Sequence, residues 1–232
     1  MTKHTITFGS RQIVFQIVYS DRKTLGITVK PDRQVFVKAP VDASLEKILE
    51  KVQKKAPWII KQQNLFLSYQ PISPDKKFIG GESHLYLGRQ YRLKITIQKK
   101  ESVRLKGQFF EVHTKDKSRV KSLVNEWYIF QARRKLIEIA LPLIEKFKKY
   151  KVNPDSIVLK QMPTRWGSCT PIGKIILNPE LIKAPKGCIE YVIIHELCHL
   201  IHHNHSQQFI DLQTREMPDW EKWKSRLEKL MA

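Results

Sequence analysis

The chain has few cysteines, and those it has do not pair by spacing. Cys169, Cys188 and Cys198 are odd in number and form no Cys-x-x-Cys pair. That argues against a disulfide framework or a zinc ribbon and leaves reduced thiols as the expectation. No run of about 18 apolar residues occurs, and Met1-Thr2-Lys3-His4-Thr5 lacks the apolar centre of a signal peptide, so a soluble cytoplasmic protein with no membrane partner is expected. Gly-x-x-x-x-Gly-Lys-Ser/Thr is also missing, which excludes a P-loop ATPase. Acidic residues are scarce beside basic ones, 22 against 42, for a formal charge of +20. Such a balance favours anionic partners (nucleic acid, nucleotides or acidic surfaces) without choosing among them; the alternative is a solvated basic surface.

What is present divides by periodicity. With 232 residues the chain can bury a substantial core, as one domain or two tightly associated parts. Apolar and polar residues alternate over 12–19, 25–29 and 35–37, with Pro31-Asp32-Arg33 as a turn, and predict an antiparallel sheet. Leu45, Ile48, Leu49 and Val52 then mark an amphipathic helix with Asp42 as N-cap, which Pro57 interrupts before a second helical piece over 58–63. Pro71 to Lys77, with Gly80-Gly81 after it, reads as a loop. Strands resume at 85–87 and 91–97, joined at Gly88-Arg89, with further candidates at 103–105 and 109–112. Aromatics among basic residues (Phe36, Tyr86, Tyr91, Phe109, Phe110) suggest a nucleic-acid platform, although period-two core packing accounts for them more simply. No internal repeat stands out.

From about Lys117 a helical pattern runs for about thirty residues through Val120, Leu123, Val124, Trp127, Ile137, Leu141 and Ile144, with a kink expected at Pro142. Lys146, Lys148, Lys149 and Lys151 crowd its end, where they complement the helix dipole or form an anion patch. The expected class is α+β, with a strand-rich N-terminal subdomain over 1–115 and a metal-binding catalytic subdomain over 116–232.

The second part is organised around His195-Glu196-Leu197-Cys198-His199, on an apolar run containing Ile189, Val192, Ile193, Ile194 and Leu200. Residues four apart share a helix face, so the two imidazoles can hold one ion, and Glu196 beside them is the general base of a His-Glu-x-x-His site. His203 lies about 12 Å further along a straight helix, too far for metal bonds of about 2 Å. The helix must therefore end and the chain fold back. Asn204 is the expected terminator, which makes His205 the third ligand, with Glu216 as the fallback. Cys198 reads as a small core residue, and His202 and His203 as surface histidines.

Upstream, a strand at Ser156 to Lys160 leads into Pro163-Thr164-Arg165-Trp166-Gly167-Ser168-Cys169, and a second strand covers Lys174 to Leu177. These are the expected wall for substrate. Arg165 either stabilises charge on a substrate oxygen or pins its loop through a carboxylate; Trp166 is read as a packing anchor and Gly167 as a turn. After His205, Phe209, Ile210 and Leu212 begin another helix, and Trp220, Trp223, Leu227 and Leu230 form a C-terminal one that closes the core behind the site.

Arg165-Trp166-Gly167-Ser168-Cys169, Ile176-Leu177-Asn178, the His-Glu-x-x-His stretch and Asn204-His205-Ser206 together resemble the YgjP-like metal-dependent hydrolase family, similar in its site to SprT-like and WLM zinc proteases. The resemblance covers nearly the whole chain and implies a zincin-like core. It also implies His195, His199 and His205 as ligands to Zn²⁺ and Glu196 as the catalytic base. Cys198 stands where a small residue such as Ala is expected. The chemistry implied is that of a zinc-dependent hydrolase, first a metallopeptidase acting on peptides. Nucleoside triphosphate pyrophosphohydrolase activity at the same site is the alternative. A third possibility is a nucleic-acid-associated protein whose metal site is structural or serves a DNA-stimulated protease, with the basic surface binding the nucleic acid.

Overall fold

A computed structural model describes residues 3–9, 11–30, 32–67, 76–163 and 165–231. Most of the loop expected at Pro71 to Lys77, and Pro31 of the first expected turn, lie outside the described residues. The chain forms two compact units, Met1–Pro74 and Asp75–Met231.

In the first unit β1 (Lys3–Phe8), β2 (Arg11–Tyr19), β3 (Gly26–Val29) and β4 (Val35–Ala39) form a sheet in the order β1-β2-β4-β3. Its central pair β2–β4 is parallel and the outer pairs are antiparallel, so the sheet is mixed rather than purely antiparallel. One face supplies Ile13, Phe15, Ile17, Val35 and Val37 to a core completed by Ile48, Val52, Ala56 and Ile59 of α1 (Leu45–Leu67). The helix does not break at Pro57. Its buried stripe continues at spacings of four and three on both sides of the proline, and burial of that stripe outweighs the lost backbone hydrogen bond. Ser44, rather than Asp42, caps it: its Oγ accepts from the Lys47 amide at 3.5 Å.

The second unit opens with β5 (Ser83–Tyr86), β6 (Arg89–Ile97), β7 (Ser102–Lys106) and β8 (Phe109–Thr114), in the order β5-β6-β8-β7 with β6–β8 parallel. A long helix with an internal proline follows, α2 (Val120–Phe147). The strand order of the first unit thus recurs, a repeat carried by connectivity and burial rather than residue identity. The turn at Leu87 and Gly88 has positive φ at both residues (49° and 78°), the type I′ geometry of a two-residue hairpin. Its tip is bonded to the approach of the metal-motif helix, with Leu87 N donating to Ile182 O and Gly88 N to Lys183 O.

α2 is buried at every fourth residue, Val120, Val124, Tyr128, Ala132, Leu136 and Ala140, the i±4 ridge that packs readily against a neighbour. These residues share one core with Leu93, Phe110 and Val112 of the sheet and with Ile189, Ile193 and Leu197 downstream. The second sheet and these helices thus build one core across the 115/116 position, inside the unit that spans 75–231. A small sheet, β9 (Ser156–Leu159), β10 (Gly167–Cys169) and β11 (Lys174–Leu177) in the order β10-β11-β9, precedes α3 (Lys186–His199), α4 (Gln207–Glu216) and α5 (Trp220–Met231). A Cβ on Gly187 of α3 would overlap the Trp223 ring of α5, so this glycine sets how closely the two helices approach. No helix among the described residues is long and apolar enough to cross a membrane.

Candidate metal centre

α3 buries nearly its whole circumference, including Ile189, Val192, Ile193, Ile194, Leu197 and Cys198, so its polar residues are held against a dry core. It ends at His199, with the Leu200 amide bonded back to Leu197 O and those of Ile201 and His202 to Cys198 O. The reversal is therefore tightened over 200–202. Asn204 does not have the positive φ of a left-handed terminator; its carbonyl accepts from Ser206 N. Ser206 then caps α4, its Oγ accepting from Phe209 N.

That path brings His205 back onto α3. One ring nitrogen each from His195, His199 and His205 lies within 4.8 Å of the others, and the Nε2 atoms of His195 and His205 are 3.1 Å apart. Tetrahedral donors at zinc–nitrogen distances of 2.0–2.1 Å are about 3.3 Å apart, so the donor set fits one small cation. The other nitrogens are occupied: His195 Nδ1 meets Gln213 Oε1 at 2.8 Å and His199 Nδ1 meets the His202 carbonyl at 3.1 Å. Both partners are acceptors, which puts the proton on Nδ1 and turns the Nε2 lone pair towards the ion. Burial pushes the His195 pKa down to about 4 against the pull of Gln213, and burial lowers that of His199 too, so both rings are neutral, as ligation requires. The buried Phe209 ring lies under all three imidazoles, with centroids 4.6–5.0 Å away.

Glu196 is 5% exposed. Burial pushes its pKa up to about 8, with the Arg165 guanidinium and the Cys169 backbone amide pulling the other way. It lies beneath β10, where a Cβ on Gly167 would come 2.5 Å from Glu196 Oε1. Gly167 thus clears room for the carboxylate, a role different from the turn expected of it. Arg165 is exposed, and its side chain lines a cleft of about 810 Å³ together with Trp166, Gly167, Tyr191, Glu196 and the three histidines. The cleft also takes in His203 and Cys169, whereas Cys198 is fully buried.

Glu216 is committed elsewhere. Tyr150 Oη donates to it at 2.5 Å, and Lys149 and Lys146 approach at 2.8 and 3.1 Å. Burial opposes ionisation, but these partners prevail and hold its pKa down at about 2. Two lysines of the crowded helix end thus hold a buried carboxylate, and Lys148 pairs with Glu145.

Two residues of the site escape a motif search. Gln213 and Phe209 reach the histidines only once α4 folds back; the spacing Phe209 to Gln213, one helical turn, is the signal that places both on one face. Asn178 belongs to the Ile176-Leu177-Asn178 motif, but its role shows only in the folded chain. It is 3% exposed, and its Nδ2 donates to the carbonyls of Met162 (2.9 Å) and Arg165 (3.1 Å) while its amide donates to Trp166 O (2.9 Å). The loop that carries Arg165 is therefore fastened by an amide side chain.

Replacing Gln213 by Leu should weaken zinc affinity by about 10- to 100-fold, since the His195 tautomer loses its acceptor. Competition against a chromophoric chelator measures this, and an affinity equal to that of the parent protein would remove Gln213 from the centre.

No curated protein sequence matches the chain significantly. The YgjP-like metallopeptidase domain, by contrast, matches residues 23–230, from the second unit's sheet through all three converging histidines to α5, with part of the first unit as well. The chain belongs to the YgjP-like metallopeptidase family, whose members are metal-dependent hydrolases.

Proposed function

We propose that the protein is a zinc peptidase. The all-nitrogen donor set of His195, His199 and His205 favours zinc among divalent ions. Bound there, zinc supplies Lewis acidity towards a substrate carbonyl and makes water in its coordination sphere more acidic. Glu196, buried beside the three histidines, in its ionised form takes a proton from the attacking water and returns it to the leaving amine. Arg165, at the cleft wall, meets the charge that develops on the carbonyl oxygen.

The observation that carries the peptide assignment is β10. It is the edge strand of its sheet, paired only with β11 among the described residues, and it runs along the cleft above Glu196. An extended peptide can add to such an edge through backbone hydrogen bonds, which holds a scissile bond beside the histidines. For a nucleoside triphosphate the lining offers less: among the described residues, Arg165 is the one lysine or arginine there, and a triphosphate calls for several cations.

Zinc-loaded protein should therefore generate new peptide termini from a mixture of unstructured peptides, read by mass spectrometry. A parallel panel of nucleoside triphosphates should stay intact. Pyrophosphate release with no peptide cleavage would replace this assignment by a nucleotide hydrolase on the same residues.

A further inference from the structure

The sheet β5-β6-β8-β7 turns Leu93, Phe110 and Val112 into the core, so alternate residues face outward. Register sets Phe109 directly between Arg92 of β6 and Lys106 of β7. One pleat further along, Glu111 lies between Lys94 and Arg104. Glu111 is taken up by Arg104, Nε to Oε2 at 2.9 Å. The Lys94 ammonium sits 5.7 Å from the Phe109 ring centroid. The outward face is thus an aromatic ring, 36% exposed, with four cations around it, of which Arg104 is ion-paired to Glu111 while Lys94 and Lys106 share the attraction of the same carboxylate. Its sequence neighbours are different. Phe110 is fully buried, and Tyr86 and Tyr91 pack against the core, so period two separates one outward ring from three inward ones. None of these outward residues lines the metal cleft.

We propose that this sheet face binds single-stranded nucleic acid. A base stacks on Phe109, and Arg92, Lys94, Lys106 and Arg104 hold the phosphates on either side. Stacking on an aromatic needs the face of a base, which a duplex hides, and cations at the cross-strand spacing of about 4.8 Å can follow a backbone laid across the strands. The formal charge of +20 adds long-range attraction. The outward ring of the first sheet, Phe36, has Gln16 and Thr28 as its cross-strand neighbours and already carries the Lys30 ammonium 4.1 Å over its ring, which leaves less room for a base and makes it an internal control.

The test is fluorescence anisotropy of the full chain with a labelled oligothymidine of about 20 nucleotides, longer than the roughly 4–16 that one single-strand-binding fold occupies. The oligouridine counterpart and a duplex of equal length run beside it, over a salt series. Binding should favour the single strands over the duplex, and the two single-stranded probes tell DNA from RNA. Phe109→Ala should weaken single-strand binding by about 5- to 150-fold, the effect of one lost base stack, and leave the salt slope unchanged. Changing Arg92 and Lys106 together to Ala should reduce the slope of log K against log salt by about 1.4, or 0.7 for each phosphate contact. Phe36→Ala should change nothing. Arg92, Lys106 and Phe109 are exposed and Phe36 is half-buried, and an unchanged melting temperature verifies the fold. The proposal fails if neither single strand binds at low salt, if the duplex binds as tightly, or if Phe109→Ala and the double variant bind like the parent.

Discussion

Changing Glu196 to Gln is expected to leave zinc bound and to lower peptide turnover by about 10²- to 10⁴-fold, the usual contribution of a positioned general base. In barrier terms this is about 3–5 kcal/mol. The substitution keeps the shape of a side chain that is 5% exposed and packed beneath Gly167, so neither a cavity nor a clash arises. It leaves the three imidazoles and their Nδ1 partners untouched. What disappears is the ability to take up and return a proton, which an amide lacks. Zinc content measured alongside peptide cleavage separates the two effects: metal-replete Glu196→Gln protein that cleaves at the parent rate would show that the base lies elsewhere.

Gly167→Ala should come close to that loss by a different route. The added methyl carbon would lie 2.5 Å from Glu196 Oε1, 2.8 Å from its Cγ and 2.9 Å from Val192 Cγ1. Comfortable carbon contacts begin near 3.5 Å, so an overlap of about 1 Å must be relieved. The strand cannot easily give way, because Gly167 is in register with Leu177 and the adjoining Trp166 carbonyl is bonded to the Asn178 amide. The carboxylate yields instead. A displacement of about 1 Å at a reacting group can reduce turnover by about 100-fold, and overpacking at this point should destabilise the fold by about 1–3 kcal/mol. Zinc affinity should stay close to that of the parent. Full turnover in this variant, with the fold intact, would show that the carboxylate does not need the position it occupies.

The metal motif was legible because helix periodicity alone puts His195 and His199 on one face, and because distance along a helix excludes His203. His205 followed from the need for a reversal, but the manner of the reversal did not. The α3 helix ends at His199 through backbone bonds that any residue can make, so no residue type advertises the stop. Gln213 acts on His195 across 18 positions of the chain, Phe209 on His199 and His195 across 10 and 14, and Asn178 on Arg165 and Met162 across 13 and 16. A pattern search sees only neighbours, and such contacts exist only in the folded chain. The α1 helix shows the opposite error. The local preference of Pro57 is to interrupt a helix, and the burial of Ile48, Val52, Ala56 and Ile59 overrides it. Strand and helix composition alone does not show that Phe110 and Val112 of β8 share a core with Val120 and Val124 of α2.

The strand order shared by the two sheets dictates how each must assemble. In both, the first two strands form one hairpin, while the last two form an antiparallel pair of their own. Among the described residues, the strand pairing that joins the halves is the parallel pair in the middle. Hairpins close in about 1–10 μs, whereas joining them requires two separate ribbons to meet in register, so the docking of ribbon on ribbon is the slow event. Until it occurs, β2, β4, β6 and β8 each expose an unpaired edge beside apolar side chains. The newly made chain is therefore most open to sticking to its neighbours in the interval between local closure and the joining of the two ribbons.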